Sequence, residues 1–164
     1  YTQKMKTFSF YVLLAFLLLS VQATVFSGVK PDFILVLVCF YSLKHGQTKG
    51  MIYGAFTGFL IDSASGIILG PNMFSKFIIG FIISSIRQKL FQWNIIVSAS
   101  VIAIFSLMDM LLVYLFLETF AGISFAEMPY RILILQTLYT AIASLPLYLF
   151  FGFEKDSGMP LRSF

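Results

Sequence analysis

With 59% hydrophobic and 11% charged residues and a mean hydropathy of +0.94, this chain of 164 residues lies far from the soluble range, where about a quarter of residues are charged. Its net charge of +4 comes from 11 Lys and Arg against 7 Asp and Glu. Most of the basic residues sit between hydrophobic runs, a pattern of membrane topology rather than of nucleic-acid binding. Six helices of about 20 residues would occupy roughly 120 positions and leave about 44 for loops and tails, which excludes a soluble catalytic domain.

The chain reads as one all-α transmembrane domain with six spans, at about 8–27, 31–44, 49–62, 72–87, 94–118 and 130–153. The first follows Lys4 and Lys6 and is uncharged over 19 residues from Phe8 to Phe26. A basic start also suits a cleaved signal peptide, but with no soluble part to export it reads as an anchor. Gly28, Lys30, Pro31 and Asp32 form a turn, with Pro31 placed to open the second span. That span has only 11 uncharged residues, Phe33 to Leu43, before Lys44 and His45, and the third run is equally short. Two short runs in succession suggest helices packed inside a bundle rather than rods facing lipid. Cys39 is alone in an apolar run, so no intramolecular disulfide forms, and His45 has no second ligand near it to suggest a metal site.

From Gly46 onward small residues recur at steps of four: Gly46, Gly50, Gly54, Gly58, then Asp62, Gly66 and Gly70. Such a face lets helix backbones approach closely in a bilayer, where hydrophobic burial drives little helix association. Asp62 follows 11 uncharged residues, Met51 to Ile61. A carboxylate at the membrane centre costs roughly 2.5 to 3.5 kcal/mol. It either caps the turn around Ser63, Ser65 and Gly66 or makes a buried polar contact. The segment Ser63 to Pro71 suits no continuing helix. Lys76, one turn inside the fourth span, either snorkels outward or pairs with Asp62 across this loop.

Trp93 marks the next boundary, and the fifth span, Asn94 to Leu117, carries Asp109 nine residues before Glu118. At about 13 Å along a helix, capping does not account for Asp109; it faces protein or water, in a functional contact or in a structural hydrogen bond to a neighbouring helix. Thr119 to Met128 is mixed and suits the interface. The last span opens after Pro129 and contains Pro146, expected to kink it. With the N-terminus cytoplasmic, Lys4, Lys6, Lys44, Lys49, Arg87, Lys89, Lys155 and Arg162 lie inside, 8 of the 11 basic residues, and both termini are cytoplasmic. Four acids, Asp32, Asp62, Glu118 and Glu127, fall near the outer ends.

No residue set suggests catalysis, a cofactor or a metal: there is one His, one Cys and no phosphate-binding glycine loop. The motifs instead resemble a family. Pro31-Asp32-Phe33, the series Gly54, Gly58, Asp62, Ser65-Gly66 and Gly70, Gly80-Phe81, and Leu145-Pro146-Leu147-Tyr148 are together similar to the rod shape-determining membrane protein MreD, over residues 8–153. The abundance of Phe and Ile, and Lys76, depart from the family pattern. The resemblance implies a bacterial inner-membrane subunit of the elongation machinery, acting with MreC, MreB, RodA and a penicillin-binding transpeptidase in peptidoglycan synthesis. It also implies a fold similar to the substrate-binding component of energy-coupling-factor transporters.

Two functions from different classes suit six short-looped spans: a scaffold whose glycine face and outer acids hold a partner helix, and a solute-binding component of a vitamin transporter. The latter class resembles proteins with an Ala-x-x-x-Ala docking motif in the first span. Here Ala15 is followed four later by Leu19 and Ala23 by Ser27, which favours the scaffold.

Overall fold

A computed structural model describes residues 2–25, 28–66, 68–86, 95–122 and 130–150. Among them the chain forms six α-helices and no strand: α1 (Thr2–Val25), α2 (Phe33–His45), α3 (Gln47–Ser65), α4 (Pro71–Ile86), α5 (Ile95–Ala121) and α6 (Tyr130–Phe150). Within α1, α5 and α6 the segments Phe8–Val25, Ile96–Ala121 and Tyr130–Tyr148 are long and apolar enough to cross a membrane.

The bundle is built around α2. Its 13 residues measure about 20 Å, too few to span a bilayer fully, and all ten from Ile34 to Leu43 are buried. A helix that is apolar all round needs protein on every side, and α2 has it. Leu35, Val36, Cys39, Phe40 and Leu43 pack on Ile79 and Ile83 of α4 and Ile102 and Phe105 of α5. The opposite side, Ile34, Leu37, Val38 and Tyr41, packs on Tyr11 and Ala15 of α1 and Tyr53 of α3. Cys39 is one of these core residues. His45 stacks on Tyr41 at 4.2 Å between ring centres, with Nδ1 3.1 Å from the Tyr41 carbonyl oxygen.

Helices α3 and α4 are the most closely apposed pair, because small residues of α3 meet backbone of α4. A Cβ placed on Gly54 would collide with the Lys76 carbonyl, one on Gly58 with the backbone of Asn72 and Met73, and one on Gly80 with the carbonyl oxygen of Gly50. Each step of four along α3 is matched by a step back of four along α4, so the helices run antiparallel with backbones in contact. Gly50 is bordered by side chains instead, Ser42 Oγ and Ser84 Oγ. Beyond Asp62 the glycine series no longer meets helix backbone; a Cβ on Gly70 would press on the Phe116 ring of α5. Gly66 (φ 66°) ends α3 in the left-handed region with no atom near its would-be Cβ, and Gly70 (φ 128°) turns the chain into α4. Both angles favour glycine for backbone reasons.

Outward faces are apolar, including Phe10, Leu13 and Phe16 of α1, Ile104 and Leu115 of α5 and Ile142 of α6. Pro146 is carried inside α6. The expected boundary at Trp93, the basic residues Arg87, Lys89, Lys155 and Arg162, the acid Glu127 and most of the expected interfacial stretch Thr119 to Met128 lie outside the described residues.

Candidate functional site

Three ionisable side chains meet in the interior. Lys76 of α4, fully buried, places Nζ 3.0 Å from Asp32 Oδ2 and 3.1 Å from Asp109 Oδ2. Its third neighbour is Asn72 Oδ1 at 3.4 Å, so each of the three ammonium protons has a partner. Asp32 and Asp109 are themselves 7% and 4% exposed. A buried charge is tolerated only when it is paired and hydrogen-bonded, and this arrangement supplies both.

Each carboxyl is positioned by a different local device. Asp32 is the N-cap of α2: Oδ1 accepts the Leu35 N–H at 2.8 Å, while its own backbone N–H donates to Thr140 Oγ1 of α6 at 3.0 Å. Asp109 projects from the middle of α5 toward α4, where Ser75 Oγ lies 2.5 Å from Oδ1 and 3.2 Å from the Asp109 backbone carbonyl oxygen. The centre therefore joins α2, α4, α5 and α6.

Asp62 extends the network to α3. It is 2% exposed, and its two carboxyl oxygens accept the backbone N–H groups of Gly70, Asn72 and Met73 and the Asn72 side-chain amide, at 2.8 to 3.2 Å. These are N–H groups at the start of α4, which have no partner within the helix, and a carboxylate there is also favoured by the helix dipole. Asn72 then links Asp62 to Lys76, since its amide donates to the first and its oxygen accepts from the second.

These positions correct the expectation for Lys76 and decide between the two alternatives for Asp62. Lys76 neither snorkels outward nor pairs with Asp62: α4 starts at Pro71, and the close contact with α3 turns this residue inward to Asp32 and Asp109. Asp62 makes a buried contact, but it caps the helix after the loop rather than the turn at Ser63, where only its backbone oxygen serves Ser65 Oγ. Asp32, expected near an outer end, is also part of the buried network. The expected site residues separate into groups: Gly50, Gly54 and Gly58 lie against neighbours in the bundle, Gly66 and Gly70 shape the α3–α4 turn, and Asp62 reaches the polar network through Asn72 whereas Asp109 meets Lys76 and Ser75 directly. Asp32 and Lys76 are site residues that the sequence alone does not single out. The signal for Asp32 was Pro31-Asp32-Phe33 ahead of an apolar run, an N-cap pattern; for Lys76 it was a lone cation one turn inside a span.

A family model described as rod shape-determining protein MreD matches residues 2–153. No curated protein and no solved structure matches the chain.

Proposed function

Since this chain belongs to the family of rod shape-determining protein MreD, we propose that it is a non-catalytic scaffold subunit of the bacterial elongation complex in the inner membrane. The observation that carries this reading is the extent of the family match, 2–153, which takes in all six helices. In this reading the chain acts with an MreC-like membrane protein, and with MreB, RodA and a penicillin-binding transpeptidase, to organise peptidoglycan synthesis.

The packing supports a body of fixed shape. The glycine face of α3 is taken up by α4 of the same chain, and the ionic centre is satisfied among the chain's own helices, so partner contact falls to the outward apolar faces and the loops. Close contact between transmembrane helices needs only complementary shape and small residues, so such faces serve lipid and partner helices alike. The distribution of basic residues supports both termini being cytoplasmic, with the ionic centre in the outer half of the bundle.

Purification of the tagged chain from its own membranes in mild detergent tests the partner assignment. An MreC-like protein is the expected co-purifying species. Recovery of an ATPase module instead would overturn the scaffold reading in favour of a solute-binding transporter component.

A further inference from the structure

The ionic centre has a charge imbalance. Two carboxyl groups face one ammonium, so with every group ionised it holds one uncompensated negative charge, although Lys76, Asp32 and Asp109 are all at least nine-tenths buried. An unpaired charge in such surroundings costs several kcal/mol, more than neutralisation by a proton. Among the described residues the titratable groups around Asp109 are Lys76 on α4, Asp32 at the start of α2 and, within α2, the Cys39 thiol; α6 contributes Thr140, which does not titrate. None of these supplies a second positive charge.

The hydrogen-bond geometry says which carboxyl takes the proton. Asp32 is well provided as an anion, with the Leu35 N–H on one oxygen, the ammonium on the other and the N-terminus of α2 behind it. Asp109 lies in mid-helix; the Lys76 ammonium is 3.1 Å from its Oδ2 and 3.4 Å from its Oδ1, and among the described residues no backbone N–H donates to it. Its Oδ1 and its backbone carbonyl oxygen both lie within hydrogen-bond distance of Ser75 Oγ, a hydroxyl with one hydrogen. With Asp109 ionised, that single hydrogen faces two acceptors. With a proton on Oδ1, Asp109 donates to Ser75 Oγ, Ser75 donates to the carbonyl, and Oδ2 still accepts from Lys76.

We propose that the Asp32–Lys76–Asp109 centre is a proton-binding site inside the bundle, with one exchangeable proton carried on Asp109 Oδ1 and shared with Ser75 Oγ. Uptake converts the carboxylate to the acid and brings the centre to neutrality; release restores one negative charge between α4 and α5. The site is independent of the scaffold reading.

Infrared spectroscopy of the full chain in lipid vesicles tests it through the carbonyl stretch of an un-ionised carboxylic acid. At neutral pH the wild-type protein should show this band, and Asp109→Asn should lose it. The discriminating variant is Asp32→Asn, which keeps an N-capping side chain but removes the excess charge, so Asp109 should ionise against Lys76 and the band should also vanish. Lys76→Met should strengthen the band, as both carboxyls then take protons. Absence of the band in the wild-type protein, or its persistence in Asp32→Asn, would overturn the proposal.

Discussion

Lys76→Met should destabilise the bundle more than any other single side-chain replacement. The ammonium serves Asp32, Asp109 and Asn72 at once, so its removal leaves two buried carboxyls facing each other without a cation. Breaking a buried ion pair by deleting one partner costs about 3–5 kcal/mol. A loss of that size is a large fraction of a domain's stability, and the folded fraction in detergent should fall accordingly on heating. Replacing all three ionisable side chains by neutral groups of similar shape is often close to neutral, so adding Asp32→Asn and Asp109→Asn to Lys76→Met should recover most of the loss. Wild-type stability in the single variant would mean that the centre does not hold these helices together.

Gly54→Leu should fail in a different way, by separating two helices. The Cβ alone meets the Lys76 carbonyl, and backbone atoms cannot turn aside as a flexible side chain can. Overpacking a filled interior typically costs 1–3 kcal/mol, and here the helices must part along their whole contact, which forfeits dispersion on both sides. The same displacement moves Lys76 away from its carboxylates. Gly58→Leu and Gly80→Leu should behave alike. At Gly50 the obstacles are serine side chains, so Gly50→Ala should be milder than Gly54→Ala. Gly66→Ala meets no neighbour and should cost only about 1 kcal/mol from its left-handed backbone. Thermal stability and monodispersity in detergent give the ranking. Equal tolerance at Gly54 and Gly66 would show that the α3–α4 contact is not tight.

The helical membrane class was legible from composition, and the helices from uncharged runs bounded by Lys, Pro and Gly. The short run at Phe33–Leu43 also signalled an interior helix, because an uncovered helix of that length would leave the bilayer mismatched. The steps of four at Gly50, Gly54 and Gly58 marked a close face, but one strand of sequence does not say which helix meets it. The same limit hid the ionic centre. Lys76 lies 44 residues from Asp32 and 33 from Asp109, and nothing local distinguishes these partners from Asp62, which is nearer in the chain. Only the antiparallel setting of α3 on α4, with Asp62 already engaged by four N–H groups, leaves the lysine to the other two acids.

Cell shape tests the central claim most directly. In the chain's own host, its removal should turn rods into rounded, widened cells, re-expression of the wild-type chain should restore them, and Gly54→Leu should not. Cells that keep rod shape and width without the chain would contradict its role as a shape-determining subunit.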